Sequence, residues 1–370
     1  MEQKSVLIGM SGGVDSSVAA ALLKEQGYHV IGATMRLWTY SDSCNMKHEG
    51  CCAESAVEDA RRVCDKLGID FYVMNFKDMF KDKVVDYFDE YIHGRTPNPC
   101  IACNKYLKFD ALLKKALAMG IDYVATGHYA KIEKGEDGKY ILRASEAVKK
   151  DQSYVLYNFT QEQLAHTLMP LGGYNKDWVR QKAEELGLGV AHKPDSQEIC
   201  FVEDDDYAKF ITDYSGYKPK EGDILDVNGN VIGKHRGLIY YTIGQRKGIG
   251  AYGRPMFVMK IDAENNTITL GEKGMEFSNE LTAYDVNFVS GEFPKENMLI
   301  TAKVRYQAPP AAAMLCPQKD GTVKLMFPEP QRAVTPGQAV VFYDGDIVLG
   351  GGTLLFAECQ RLFQSLSDSI

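Results

Sequence analysis

Ser11-Gly12-Gly13-Val14-Asp15-Ser16-Ser17 follows the apolar run Val6 to Met10 and opens a helical pattern that extends from Ser16 to Glu25. Strand, glycine turn and helix in that order make an anion-binding device. The glycines let backbone amides turn inward, the serine hydroxyls add donors, and the helix N-terminus supplies partial positive charge. Phosphate is therefore the natural ligand, although the GxxxxGK[ST] spacing of a Walker A loop and its lysine are missing. The plain alternative, a strand-to-helix turn closed by a Ser or Asp cap, would not need the whole Ser-Gly-Gly-x-Asp-Ser run.

Around this loop, residues 1–205 alternate short apolar runs with helical patterns. Val6 to Met10, Val30 to Leu37, Phe71 to Phe76 and Tyr123 to Thr126 read as buried strands. Ser16 to Glu25, Glu54 to Leu67, Met79 to His93 and Lys108 to Met119 read as helices. That alternation predicts an α/β fold with a doubly wound parallel sheet, whose ligand sites lie at the C-terminal ends of its strands. A Glu136-Asp137-Gly138-Lys139 turn joins two short strands as a hairpin. Residues 206–281 read as one helix near Tyr207 to Tyr214 followed by short strands, a small mixed domain. Residues 282–370 carry short strands broken by Asp320-Gly321, Pro336-Gly337 and Asp344-Gly345, which predicts a compact β-barrel.

The chain has 370 residues, 45% hydrophobic and 25% charged, with a net charge of −8. Disorder and collagen-like repetition are excluded, and the length suits two to three domains with cores of their own. The apolar run at Val6 is too brief for a signal peptide and no 18-residue apolar stretch exists, so a cytoplasmic, reducing location is expected. An acidic total argues against nucleic acid, but Lys234 to Lys260 reverses the sign locally. It carries Lys234, Arg236, Arg246, Lys247, Arg254 and Lys260 with no Asp or Glu, interleaved with Tyr240, Tyr241, Tyr252 and Phe257. This reads either as a phosphate-binding surface or as a solvated basic face over buried aromatics.

The nine cysteines are then reactive, metal-binding or packing groups rather than disulfides. Cys100 and Cys103 lie in Thr96-Pro97-Asn98-Pro99-Cys100-Ile101-Ala102-Cys103-Asn104-Lys105, and Cys200 in Asp195-Ser196-Gln197-Glu198-Ile199-Cys200-Phe201. Cys103 precedes a predicted helix near Lys105 and Lys108, surroundings that favour thiolate, and its proline-bounded loop argues against burial. No second C-x-x-C or His pair follows at zinc-finger spacing. Cys44, Cys51, Cys52 and Cys64 flank a loop holding His48 and read as packing residues or a weak metal site, with packing favoured, and Cys316 and Cys359 read as core-filling residues.

The glycine loop resembles that of the ATP pyrophosphatases, which split ATP between its α and β phosphates and adenylate a substrate oxygen. The resemblance implies that Gly9, Met10, Ser11, Gly12, Gly13, Val14, Asp15 and Ser16 hold the pyrophosphate, that Asp15 helps position magnesium, and that Met35 and Gly127 contact adenosine. With the cysteine segments, Gly127-His128-Tyr129, Lys150 to Tyr154, Tyr241 to Gly248, Arg305-Tyr306-Gln307 and Val334 to Gln338, nearly the whole chain resembles the tRNA-specific 2-thiouridylases. That family has an adenine-nucleotide α/β domain, a small central domain and a C-terminal β-barrel. Its members exchange the 2-oxygen of the wobble uridine for sulfur in tRNAs for Lys, Glu and Gln.

By that resemblance Cys200 carries a persulfide received from a donor protein and Cys103 is the catalytic cysteine, with a transient Cys103–Cys200 disulfide reset by thiols. Asn98, Pro99 and Cys100 match positions at the target base, which must leave the anticodon stack. His128, Lys150, Asp151, Gln152, Tyr306, Gln307 and Gln338 match tRNA contacts. Without the family His128 reads as a core histidine, Lys150 to Gln152 as a solvated turn and Gln338 as a turn residue. Many relatives carry Asp where this chain has Cys100, so Cys100, Cys103 and Cys200 are also a candidate ligand set for an iron-sulfur cluster. Relay and cluster use the same residues, and both stay open at this point. An amide-forming or lysidine-forming ATP pyrophosphatase would need neither thiol, and a non-catalytic tRNA-binding or redox-sensing module would form no AMP.

Overall fold

The computed structural model describes residues 3–37, 54–194, 199–202 and 206–355. Its first layer is a parallel sheet. Strands β1 (Ser5–Gly9), β2 (His29–Arg36), β3 (Asp70–Asn75) and β4 (Tyr123–Ala125) are followed by the hairpin β5 (Ala130–Lys134) and β6 (Tyr140–Ala144), and by β7 (Thr167–Leu168). The sheet order is β3-β2-β1-β4-β7 and every pairing is parallel. Because side chains alternate across a strand, β1 feeds two cores. Val6 and Ile8 pack with Val14, Val18 and Leu22 of helix α1 (Val14–Glu25), whereas Leu7 packs on the opposite face with Phe76, Leu107 and Leu112. This double covering explains why the strands are continuous apolar runs. The strand order reverses between β1 and β4, and the crevice beyond their C-terminal ends is where such sheets bind ligands.

Each expected strand of the sheet forms within a residue of its predicted bounds, and helix α2 (Glu54–Leu67) forms as read. Two helical expectations need correction. Met79 to His93 is not one helix but three short windings: α-helical Lys77–Phe80, π-helical Lys81–Val85 and 3₁₀ Asp86–Tyr91. The winding keeps both Phe80 and Phe88 on Phe201, at ring distances of 5.0 and 5.4 Å, so tertiary packing overrides the ideal period. The helix read from Lys108 starts instead at Pro99, running as α Pro99–Ala102, π Cys103–Ala111 and α Leu112–Ala118.

After a helix at Tyr207–Ser215, a small mixed sheet is built from β8 (Gly222–Leu225), β9 (Val231–His235), β10 (Met256–Asp262) and β11 (Thr267–Glu272). Six further strands make the barrel: β12 (Phe277–Phe288), β13 (Met298–Lys303), β14 (Ala311–Pro317), β15 (Val323–Arg332), β16 (Ala339–Asp344) and β17 (Ile347–Leu354). It closes because β12 pairs with both β15 and β17, which removes the open sheet edges. Leu281, Ile300, Leu315, Leu325 and Phe342 fill it.

The hairpin β5–β6 does not join the parallel sheet. It adds to the barrel through Arg143 opposite Ile347, reinforced by the Arg143–Asp346 ion pair at 2.8 Å. Gln161 stitches the same seam, accepting from the Tyr140 N–H at 2.7 Å and donating to the carbonyls of Tyr140 and Val289 at 2.8 and 2.7 Å. Among the described residues no helix is long and apolar enough to cross a membrane. Gln161→Ala removes three hydrogen bonds at this seam and should lower unfolding free energy by about 1–3 kcal/mol, read as a lower urea midpoint with unchanged circular dichroism.

Candidate active site

The crevice beyond β1 and β4 opens into a cleft of about 1180 Å³ lined from all three regions of the chain. Its floor is the glycine loop. Gly12 has φ +71°, and a Cβ there would run into the Ala56 carbonyl at the start of α2. Helix α1 begins after Gly13 with no side-chain cap, so its first amides are not consumed by a capping side chain. Ser16 lies beneath the loop, its Oγ accepting from Ser11 N–H and donating to the Gly13 carbonyl, both at 3.2 Å. From the other side, a Cβ on Gly127 would fall 2.7 Å from Ser16 N and 2.8 Å from Asp15 C. The segment after β4 therefore reaches the loop only because residue 127 is glycine.

Two lysines that sequence reading missed complete the floor. Lys176 at the start of the helix Lys176–Glu185 holds both Asp15 oxygens, at 2.7 and 2.8 Å. Tyr129 donates its hydroxyl to the same carboxylate at 2.7 Å. Lys193 donates to the Gly12 carbonyl at 3.2 Å and to Asp59 at 3.0 Å. Among the described lining residues, Lys108, Lys149, Lys150, Lys176 and Lys193 outnumber Asp15 and Asp206. The cleft is thus locally basic in an acidic chain, the field an anionic ligand requires. Neither lysine belongs to a recognisable motif. Proximity of Lys193 to the Cys200 segment was the one available signal.

The opposite wall carries the thiols. Asn98 caps the helix that begins at Pro99, its side-chain oxygen accepting from Cys100 and Ile101 N–H at 3.1 and 3.4 Å. Cys100 on the first turn is exposed and Cys103, one turn on, is buried. The expectation that a proline-bounded loop exposes Cys103 is corrected: the residue lies inside a helix, packed in the core beside Leu107. Lys108 faces the cleft with it, but Lys105 turns away to pair with Asp285 at 2.9 Å. Cys200 is half-buried and lines the same cleft. Its neighbour Phe201 plugs an aromatic box of Phe80, Phe88 and Phe210, with ring distances of 5.0 to 5.4 Å, which fixes the turn that presents the thiol.

The barrel holds this wall through backbone contacts. Thr96 N–H donates to the Pro336 carbonyl at 3.0 Å, and Gln338 donates its side-chain amide to the Thr96 carbonyl at 2.8 Å. Gln338 and Asn98 therefore position the cysteine segment. Pro99, His128, Lys150, Gln152, Tyr306 and Gln307 also line the cleft. His128 is buried, bonded through Nδ1 to Thr126 Oγ1 at 2.7 Å, and burial together with Lys108 holds its pKa well below the usual value. Gln152 accepts from Tyr129 N–H at 2.9 Å. Tyr306 donates to the Asp151 carbonyl at 3.0 Å, and burial, Asp151 and Cys100 raise its pKa.

Gly9, Met10, Ser16, Met35, Gly127 and Asp151 are not brought to the cleft surface. Gly9 ends β1 and Met10 is buried in the helix-facing core. Met35 packs against the main core from β2. The Asp151 carboxylate instead orders its own turn, accepting from Ser145 and Ser153 N–H and the Ser153 hydroxyl. Among the described residues no three His, Cys, Asp or Glu side chains are grouped to hold a metal ion, Cys100, Cys103 and Cys200 included. Cys64 is a packing thiol in α2, its Sγ 2.6 Å from where a Gly32 Cβ would stand, and burial pushes its pKa up to about 12. Cys316 is half-buried in β14. Cys44, His48, Cys51, Cys52, Cys359 and residues 195–198 lie outside the described residues.

The basic stretch resolves into both of its readings. Lys234, Arg254 and Lys260 pair with Asp223, Glu272 and Asp262, and Tyr241 and Phe257 are buried. Arg236 stacks over Tyr240 at 4.0 Å where that ring borders the cleft, and Arg246 and Lys247 are exposed just beyond Gln245 on its rim.

Fold and cleft together define a nucleotide-type α/β domain whose anion loop shares one chamber with paired thiols. Family models match in three consecutive pieces: a tRNA methyl transferase HUP domain over residues 4–204, a tRNA methyl transferase PRC-barrel domain over 208–272, and an aminomethyltransferase β-barrel domain over 278–354. A tRNA-specific 2-thiouridylase of Acetivibrio thermocellus is 59% identical over 96% of this chain and 100% of its own length. Its counterpart in Clostridioides difficile is 58% identical over 95% and 98%. The chain belongs to the tRNA-specific 2-thiouridylase family.

Two outcomes follow from this geometry. Gly127→Ala forces the segment after β4 off the loop and should weaken ATP binding at least about tenfold, roughly 1.4 kcal/mol, measured by calorimetric titration at unchanged circular dichroism. His128 stays neutral in the folded chain, whereas the unfolded chain takes up a proton near the ordinary value of 6.5. The unfolded state then binds more protons, so the stability present above that pH falls as pH drops below it. The difference in unfolding free energy between wild type and His128→Gln should therefore shrink between about pH 7 and pH 5.5 in urea titrations.

Proposed function

We propose that the chain is an ATP-dependent sulfurtransferase that replaces the 2-oxygen of the wobble uridine with sulfur in tRNAs for Lys, Glu and Gln. One observation carries this reading: the glycine loop and the thiols Cys103 and Cys200 line a single cleft. Its volume exceeds the roughly 300–1,000 Å³ of ordinary small-molecule sites, as a site for both a nucleotide and an extruded base must.

In this reading Ser11 to Asp15 take the pyrophosphate, with Lys176 and Lys193 adding charge, while Gly9, Met10, Ser16, Met35 and Gly127 back the loop and the adenosine pocket from beneath. Asp15 is the carboxylate that would hold magnesium, whose contribution is to neutralise phosphate charge. The uridine 2-oxygen attacks the α-phosphate, pyrophosphate leaves, and the adenylated oxygen becomes a good leaving group. Cys103 thiolate attacks the Cys200 sulfur of the persulfide, releasing hydrosulfide and forming the Cys103–Cys200 disulfide. Hydrosulfide adds to C2 and AMP departs. No step requires a cluster on Cys100, Cys103 and Cys200.

Asn98 and Pro99 would border the extruded base, with His128, Lys150, Asp151, Gln152, Tyr306, Gln307 and Gln338 along the tRNA path. The segments 1–205, 206–281 and 282–370 would act as catalytic, central tRNA-binding and barrel domains. The persulfide would come from a separate donor protein in the cytoplasm.

The test incubates anaerobically purified protein with ATP, magnesium, a persulfide donor and unmodified tRNA, following AMP and thiolated tRNA on a mercury-containing gel. Cys103→Ala and Cys200→Ala should each abolish thiolation, a loss of at least about a thousandfold or 4 kcal/mol, while ATP affinity is kept. Thiolation surviving in either variant, or methylation of tRNA in its place, would remove the reading.

A further inference from the structure

Among the described thiols of the cleft, Cys100, Cys103 and Cys200, the sulfur relay assigns no bond-making step to Cys100. It precedes Cys103 by one helical turn, and residues three apart share a helix face with Cβ atoms about 5–6 Å apart. A disulfide needs about 3.5–4.5 Å, so the two side chains must draw together slightly at the first turn of the helix. The first amides of a helix have no intrahelical partner, and Cys100 N–H is held by the Asn98 side chain. From Cys103 onward the chain winds as a π-helix, Cys103–Ala111, so regular α-helical hydrogen bonding stops at that residue. Accessibility is graded as well: Cys100 is exposed, Cys200 half-buried and Cys103 buried. A disulfide between Cys103 and Cys200 would leave its Cys103 sulfur out of reach of a bulky external reductant.

We propose that Cys100 is the resolving cysteine of the sulfur-transfer cycle. This rests on the paired-cysteine reading above. Once the Cys103–Cys200 disulfide has formed, Cys100 thiolate attacks the Cys103 sulfur. The Cys103–Cys200 bond breaks, a Cys100–Cys103 bond forms, and Cys200 leaves as thiolate, so electrons balance within the exchange. Cys200 is then ready to accept another persulfide. An external dithiol attacks the exposed Cys100 sulfur, is itself oxidised to a disulfide, and returns Cys100 and Cys103 as thiols. The C-x-x-C spacing thus separates recharging at Cys200 from reduction at Cys100.

The experiment charges full-length protein with a low-molecular-weight persulfide, desalts it, adds ATP, magnesium and unmodified tRNA without thiol, and quenches with acid and an alkylating agent. Peptide mass spectrometry then maps the disulfides per mole of thiolated tRNA formed. Wild type should accumulate Cys100–Cys103 with Cys200 alkylated, and Cys100→Ser should accumulate Cys103–Cys200. With a dithiol reductant added, multiple turnover per thiolation-competent Cys100→Ser molecule should fall at least about tenfold relative to its first turnover. Cys103–Cys200 accumulating in both proteins, with Cys100 alkylated, overturns the resolving role and leaves the paired-cysteine reading standing. Thiolated tRNA with no Cys103–Cys200 disulfide in Cys100→Ser overturns both.

Discussion

The site depends on backbone approaching backbone. At Gly12 the loop presses on the first turn of α2, and at Gly127 the segment after β4 presses on the Asp15–Ser16 peptide. Neither approach survives a Cβ. This double contact closes the floor of the cleft where the strand order reverses, with Lys176 and Lys193 beside the loop. An anion there meets fixed donors, so little reorganisation would be needed as charge shifts in the proposed adenylation.

A second constraint acts from the barrel. The Pro336-Gly337-Gln338 turn grips Thr96 through its N–H and carbonyl, and a Cβ on Gly337 would come within 3.0 Å of Thr96 N. The cysteine helix starts three residues later. Phe201 does the corresponding work for Cys200 from within the aromatic box. The thiols are therefore held by packing on two different parts of the fold, and β5–β6, by joining the barrel, ties those parts together.

What was legible in the sequence follows from where the information lies. The buried strands of the sheet read directly, because a strand covered on both faces must be apolar throughout. The glycine loop and the cysteines read as chemistry because residue type and spacing carry their function. Lys176 and Lys193 did not read, since an isolated lysine looks the same whether it is solvated or folded over a carboxylate more than a hundred residues away. The irregular winding at Lys77–Tyr91 and Cys103–Ala111 was illegible for a related reason: the first packs Phe80 and Phe88 on Phe201 and the second buries Cys103, Leu107 and Phe109 in the core, neither being set by local preference. Asn98 and Gln338, read as ligand contacts, also hold backbone, a role visible only once the segment each one grips is in place.

The central claim is that ATP activates the very oxygen that sulfur replaces. The direct measurement uses tRNA carrying heavy oxygen at C2 of the wobble uridine, with mass spectrometry of the products of one turnover. The account predicts that the label appears in AMP, one heavy atom for each thiouridine formed. Label released to water, or found in pyrophosphate, would contradict it.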